Sequence, residues 1–105
     1  MMELRTYTLA NAEALRQYTR DFWPRHVDTL RRYGIVVHGV WTDVAFDGFR
    51  VMALVGYRPG DDPARLAEVY ARSADFIADH VDFDVSLIVS RQVRILEPIP
   101  CSPLQ

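Results

Sequence analysis

Apolar side chains recur with helical spacing between residues 15 and 33, which predicts an amphipathic helix. On a helical wheel one line carries Leu15, Phe22, His26 and Tyr33, with Tyr18, Trp23 and Leu30 at its margins. Asn11 is a suitable N-cap residue, and Gly34 suits the end of the helix because glycine adopts positive φ without strain. His26 therefore lies in the middle of a stripe that we expect to face the interior.

A proline interrupts this helical pattern. Pro24 has no backbone N–H, and its ring collides with the preceding turn. We therefore expect either a kink or a second helical segment that begins at Pro24.

Alternating and β-branched segments predict four strands, at residues 2–9, 35–42, 49–58 and 92–96. In the first strand Arg5 and Tyr7 point to the same face, and in the second Ile35, Val37 and Trp41 share a face. The dipeptide Asp47-Gly48 predicts a two-residue hairpin turn between the second and third strands.

A second helix is predicted after Asp62, which can cap it, with Pro63 at its first position. Its inward stripe would consist of Leu66, Val69, Tyr70, Ser73 and Ile77, with His80 on the same line one turn later. The segment 81–90 alternates as a strand would, but Asp84 could also cap a short helix, which we favour. The order of elements, βαββαβ, is that of an α+β, ferredoxin-like domain with a four-stranded antiparallel sheet.

The chain of 105 residues is long enough for one domain, which we place at residues 1–105 with an extended, proline-rich tail at 98–105. Apolar residues occupy both faces of the second and third strands, and two helices can cover only one face of the sheet. We therefore expect a homodimer that pairs the two open sheet faces.

Charge and composition restrict the partners. The net charge is −2 and no basic run exceeds two residues, which argues against nucleic acid and anionic membranes, including the RNA binding seen in domains of the same strand order. No signal peptide or membrane-spanning run is visible, so the expected location is the cytoplasm. The single cysteine, Cys101, excludes an internal disulfide.

Candidate chemistry centres on His26, whose neutral imidazole could act as a general base or orient an acidic substrate. The alternative is a core histidine bonded to a nearby carbonyl. Tyr7 could assist His26, and Arg5 on the same face could bind a phenolate or carboxylate, unless it forms a cross-strand pair. His80 could also be catalytic, or could interact only with a helix end.

Aromatic residues could form the walls of a pocket for a flat substrate, although such residues often belong to an ordinary core. The candidates are Trp23, Trp41 and Tyr70. His38, on a strand, is better explained as an interface or surface residue. The three histidines have no carboxylate beside them on one helix face, so spacing predicts no metal site, and no cofactor-binding motif occurs.

Several segments resemble the NIPSNAP family of the dimeric α+β barrel superfamily. They are ELRTYTL at the start, YGI at residues 33–35, GVWT at residues 39–42, and FDVSLIVSRQVRILEPIPCSPL at residues 83–104. The resemblance implies a ferredoxin-like monomer whose sheet pairs with that of a partner to close a barrel. It also implies a small-molecule pocket between sheet and helices, while the family carries no single assigned reaction.

Two functions are consistent with these observations. The first is a cofactor-independent enzyme, such as a monooxygenase, isomerase or cyclase, that acts on a hydrophobic aromatic or polyketide-like molecule. The second is a NIPSNAP-family ligand-binding or scaffold protein without catalysis. Pocket volume and the position of His26 distinguish a ligand site from a filled core.

Overall fold

The computed structural model describes residues 1–105 and contains four strands and four α-helices. The elements are β1 (Met2–Leu9), α1 (Ala12–Gln17), α2 (Trp23–Arg32), β2 (Ile35–Thr42), β3 (Phe49–Tyr57), α3 (Pro63–Ala71), α4 (Ala74–Asp79) and β4 (Ile88–Leu96). The strands form one antiparallel sheet in the order β2-β3-β1-β4. This confirms the predicted α+β, ferredoxin-like arrangement; its pairing into a dimeric barrel stays a prediction.

The helical region between β1 and β2 contains a π-helical turn between α1 and α2. Asn11 caps α1 as predicted, by accepting from the Ala14 N–H at 2.8 Å. Pro24 lies in the first turn of α2 and has no N–H to donate to the preceding turn. The chain widens there into a π-helical turn (Tyr18–Phe22), in which the Trp23 N–H reaches the Tyr18 carbonyl. A new helical segment is therefore confirmed, although it begins at Trp23, one residue before Pro24.

The inner face of these helices packs on the central strands. Its buried side chains include Ala14, Tyr18, Phe22, Trp23, His26 and Leu30. They cover Val51, Ala53 and Val55 of β3, none of which has any exposed surface. Burial of this apolar surface is the main stabilising term of the fold. The expectation that His26 faces the interior is confirmed, since the residue is 6% exposed.

The helical region between β3 and β4 is divided into two helices, α3 and α4, which the sequence did not predict. Ser73 ends α3 and starts α4: its Oγ donates to the Tyr70 carbonyl at 2.6 Å and accepts from the Phe76 N–H at 3.1 Å. Because the helix restarts with a new phase, the predicted inward stripe is wrong at Ile77, and Val69 of α3 is also exposed, at 46%, whereas His80 faces inward as predicted. Ile77 is 69% exposed, and Asp79 is buried instead.

A β-bulge in β2 corrects the predicted faces of that strand. The register with β3 shifts between Val37 and Gly39, so that one extra residue, His38, lies between them. Val40 then pairs with Ala53 on the helix side, while Trp41 pairs with Met52 on the opposite side. The prediction that Trp41 shares a face with Ile35 and Val37 is therefore wrong.

Two boundaries also differ from the predictions. β2 and β3 form a hairpin, but its loop spans residues 43–48, and Gly48 at φ 147° is the last residue of that loop. β4 begins at Ile88 rather than at residue 92. The short helix favoured within 81–90 is a single 3-10 turn (Val85–Leu87), capped by Asp84 through the Ser86 N–H.

Candidate functional site

A buried carboxylate organises the space between the helices and the sheet. The side chain of Asp79, at the end of α4, is fully buried. Its Oδ1 accepts from Arg25 Nε and from Thr29 Oγ1, both at 2.9 Å. Its Oδ2 accepts from the Tyr70 hydroxyl at 2.7 Å and lies 3.1 Å from His26 Nδ1. Four donors from two helices, α2 and α3, therefore satisfy one carboxylate on α4, as a buried charge requires.

These contacts fix the proton on the imidazole of His26. An ionised carboxylate only accepts hydrogen bonds, so Nδ1 must carry the hydrogen that it shares with Asp79. The Tyr70 hydroxyl, 3.1 Å from the same nitrogen, gives its own proton to Asp79 and can accept from Nδ1 as well. Nε2 is therefore the unprotonated nitrogen of the neutral ring, and it has no hydrogen bond to the protein.

The environment keeps His26 neutral and Asp79 ionised. Burial lowers the pKa of His26 to about 4, and Asp79 opposes this change only in part. Arg25 forms an ion pair with Asp79, which partly neutralises the carboxylate. Asp79 therefore stabilises a protonated His26 less strongly than an unpaired carboxylate would. Burial would raise the pKa of Asp79, but the hydrogen bonds from Tyr70, His26 and Thr29 prevail and lower it. Burial and Asp79 together raise the pKa of Tyr70.

His26 lines a cavity of about 170 Å3, which we call the inner chamber. Its walls are mostly aromatic and come from β1, the helices and the start of β4: Tyr7, Tyr18, Phe22, Tyr70, Phe76 and Ile88. The ring of Phe22 lies 4.6 Å from that of His26, centroid to centroid. Burial, with Tyr7 nearby, raises the pKa of Tyr18, so this phenol stays protonated. The chamber thus combines mostly aromatic walls with the free basic nitrogen of His26.

Two arginines stand where the inner chamber meets a larger groove of about 610 Å3, which we call the outer chamber. Arg5 Nη2 donates to Glu3 at 3.0 Å and to the Tyr57 hydroxyl at 2.6 Å. Burial would lower the pKa of Arg5, but Tyr7, Tyr57 and Glu3 raise it, so the guanidinium remains charged. Arg91, on the helix side of β4, forms no ion pair.

Most residues singled out in the sequence come together in this region. Arg5, Tyr7, His26, Tyr70 and His80 all line the inner chamber. His80 Nδ1 donates to the Phe76 carbonyl at 2.6 Å, which fixes its ring at the end of α4. The helix-end contact considered for His80 is therefore present at its Nδ1, and the ring also lines the inner chamber.

The two tryptophans lie elsewhere. Trp23 is 3% exposed and packs against the ring of His26 at 5.1 Å between centroids, but it does not line the inner chamber. It meets Trp41 in a separate groove of about 370 Å3 beside Pro24. Trp41 is 54% exposed because the bulge in β2 turns it to the far side of the sheet. Trp41 is therefore not a wall of the space next to His26.

Sequence reasoning missed Asp79, Thr29, Arg25 and Arg91. The search for a carboxylate was confined to the helix face of each histidine, so it did not reveal Asp79, which bonds to His26 from another helix. The signal that could have revealed Asp79 was Ser73, whose side chain can cap a new helix and shift its inward face. Thr29 and Arg25 follow and precede His26 on one face of α2, a pattern that becomes informative only with Asp79 in place.

No cluster of three or more His, Cys, Asp or Glu side chains in the structure has the proximity needed to hold a metal ion. No helix is both long enough and apolar enough to span a membrane.

The fold and the chamber define a ferredoxin-like α+β protein with a cavity between its sheet and helices. The NIPSNAP family profile matches residues 2–103, so the chain belongs to the NIPSNAP family. No curated protein matches it significantly.

Solved structures from bacteria share this fold. A NIPSNAP family protein from Agrobacterium tumefaciens strain C58 is 23% identical, with a TM-score of 0.76, and the match covers 99% of this chain and 97% of that one. A second protein from Agrobacterium tumefaciens is 18% identical, with a TM-score of 0.82 over 99% and 98%. An uncharacterised NIPSNAP domain protein from Burkholderia xenovorans is 19% identical, with a TM-score of 0.78 over 97% of each chain. These similarities support the fold and do not assign a ligand.

Proposed function

We propose that this NIPSNAP-family protein binds a small, largely apolar, cyclic molecule that carries an anionic group, with its ring in the inner chamber. The single observation that carries the proposal is an aromatic chamber with a free imidazole nitrogen inside and two arginines at its mouth. An apolar cavity with a few convergent polar groups is the usual form of a small-molecule site. A guanidinium pairs well with planar anions such as carboxylates and phenolates.

Charge selectivity tests the binding proposal. We expect isothermal titration to show that 2-methylbenzoate binds more tightly than 2-methylbenzamide, which has a similar shape without the charge. Arg91→Gln should weaken benzoate binding about tenfold and leave benzamide binding unchanged, since a charged hydrogen bond contributes about 1.5 kcal/mol.

Arg94 provides the matched control for this experiment. It lies on the same strand but pairs with Leu4 on the opposite face of the sheet. Arg94→Gln should therefore bind both ligands as the unaltered protein does. Equal binding of benzoate and benzamide, or equal losses in the two arginine variants, would contradict the proposal.

A second candidate function is proton transfer by an enzyme that needs no cofactor, as in an isomerase or cyclase. It is favoured by one observation: Asp79 holds the hydrogen on Nδ1 of His26, which leaves Nε2 free as a base. In such a step, Nε2 would take a proton from an acidic carbon of the bound molecule. The electron pair would move to an enolate oxygen, which Arg5 or Arg91 could stabilise. A non-catalytic ligand-binding protein would use the same chamber without this step.

A chromogenic probe separates these two functions. In 5-nitrobenzisoxazole a base removes the ring C–H proton, the N–O bond breaks, and a nitrile and a coloured phenolate form. We expect the protein to accelerate this reaction and His26→Gln to abolish the acceleration. His38→Gln, which alters an exposed histidine outside the chamber, should retain it. Equal rates for the two histidine variants would favour the non-catalytic function.

A further inference from the structure

We infer that the natural ligand has two parts, a compact ring and an apolar tail, joined next to its anionic group. This inference rests on the proposed function and adds a substrate class to it: ring acids with a tail ortho to the acid group. The ring would occupy the inner chamber and the tail would lie in the outer chamber. Three observations support this arrangement: the relative volumes, the position of the charges and the composition of the outer walls.

The volumes show that the inner chamber alone is too small for a typical ligand. Ligand sites usually enclose about 300 to 1,000 Å3. The inner chamber has about 170 Å3, which is room for a single ring, whereas the outer chamber has about 610 Å3. Arg5, Tyr7 and Arg91 belong to the walls of both chambers, so the two spaces meet at these residues. A ligand that uses the full site must pass this junction.

The charges place the anionic group at the junction. Glu3 and Tyr57 engage Nε and Nη2 of Arg5, which leaves Nη1 without a protein partner. Arg91 adds a second, unpaired guanidinium at the same place. At the other end of the outer chamber stands Asp62, whose carboxylate caps α3 through the Ala64 N–H. A negative charge at the end of the tail would be repelled there.

The outer walls suit an apolar tail. Val93 and Ile95 of β4 point to the helix side of the sheet, yet no helix covers them, and they are 55% and 66% exposed. Ala64 and Ala67 of α3 face them with small side chains that leave the groove open. From Arg91 to Ile95 a strand extends roughly 13 Å, the length of a tail of about eight to ten carbons.

Tail length is the variable that tests the inference. We would measure the binding of 2-alkylbenzoates with tails of one to eight carbons by isothermal titration. In the unaltered protein each added methylene should tighten binding about twofold, half the effect of a fully buried methylene. Ala67→Trp should fill the outer chamber, remove this gain and leave the affinity for 2-methylbenzoate unchanged.

Ala45→Trp is the matched control, because Ala45 lies in the exposed loop between β2 and β3 and lines neither chamber. It should keep the full gain with tail length. Ile95→Glu provides a second obstructing variant at an exposed position and should also remove the gain. The inference is overturned if tail length has no effect in the unaltered protein, or if both obstructing variants retain the gain. A failure of 2-methylbenzoate itself to bind would overturn the proposed function as well.

Discussion

At the scale of single residues, Asp79 determines the state of the candidate site. Its charge is buried, and the carboxylate accepts hydrogen bonds from four different side chains. A buried charge with complete hydrogen bonding is tolerated, whereas the removal of one partner leaves the other groups unsatisfied. The orientation of His26, and with it the position of the free nitrogen, therefore depends on a residue that need not contact a ligand.

Asp79→Asn should destabilise the protein strongly. The asparagine side chain has one acceptor oxygen and an NH2 group, so it cannot accept from all four donors. We expect a loss of about 3 kcal/mol in the free energy of unfolding, measured by urea denaturation at pH 7. Asp82→Asn, at an exposed position, should change it by less than about 0.5 kcal/mol. A loss below about 1 kcal/mol for Asp79→Asn would show that the carboxylate is not needed.

The lowered pKa of His26 makes stability depend on pH. Between its ordinary value of 6.5 and its folded value of about 4, the unfolded chain binds a proton that the folded chain does not. Stability should therefore fall as the pH falls through this window, by up to about 3 kcal/mol at 1.36 kcal/mol per pKa unit. Below that window the lowered pKa of Asp79 adds to the loss as its carboxylate becomes protonated.

Urea denaturation at pH 7 and pH 5 measures this effect, and NMR titration of the imidazole assigns it. The signals of His26 should remain those of a neutral ring at pH 5.5. The pH dependence should persist in His38→Gln and decrease in His26→Gln. A titration of His26 above pH 6 would mean that Asp79, rather than burial, controls its charge.

At the scale of elements, the break between α3 and α4 creates the site. Ser73 accepts from the Phe76 N–H and so caps α4, which places Asp79 toward α2 instead of toward solvent. Tyr70, the last buried residue of α3, reaches the same carboxylate from the other side of the break. One serine thus converts a surface position of a continuous helix into a buried anion.

Ser73→Ala should remove this cap and lower the free energy of unfolding by about 1 kcal/mol. It should also loosen the contact of Asp79 with His26, which would be visible as exchange broadening of the His26 NMR signals. Ser73→Asp, which can cap the helix in the same way, should restore both properties. Equal stability of Ser73→Ala and the unaltered protein would contradict this role of the cap.

The sequence was sufficient to predict the order of helices and strands, but not which side chains each element turns toward the interior. Strand alternation and the capping residues Asn11, Asp62 and Asp84 predicted the βαββαβ order, because these signals are local. The bulge at His38 and the restart at Ser73 each shift the phase of one element. Such shifts depend on packing against the rest of the fold, which periodicity does not report.

The same limitation applies to the site. His26 was predicted to face inward because six neighbouring apolar residues define its stripe. Asp79 was missed because its inward direction follows from the helix break, and Trp41 was misplaced because of the bulge. Arg91 was missed because the start of β4 was predicted after it.

At the scale of the whole molecule, no helix covers the face of the sheet opposite α1 to α4, although Met2 and Thr6 on that face are buried. Its exposed apolar side chains include Val36, Trp41 and Leu96, at 46%, 54% and 39%. Leu4, Met52 and Leu54 occupy its centre and are half-buried by their neighbours alone. Contiguous apolar patches larger than a few hundred Å2 are rare on monomers and mark interaction sites.

A two-fold pairing of identical sheet faces would cover this surface in both copies at once. At roughly 25 cal/mol per Å2, the burial of several hundred Å2 outweighs much of the entropy cost of association. We therefore predict a stable homodimer. Sedimentation velocity at micromolar concentration should show about twice the 12.1 kDa mass of one chain.

Leu54→Asp would place a charge at the centre of the paired faces, where it pairs with Leu4 across β1 and β3. Because an unpaired charge is costly to bury, this variant should sediment as the 12.1 kDa species. Ile77→Asp, an equally large change at a 69% exposed position on the helical side, should leave the dimer intact. If the unaltered protein sediments as a monomer, or if both variants dissociate alike, the sheet face is not the contact surface.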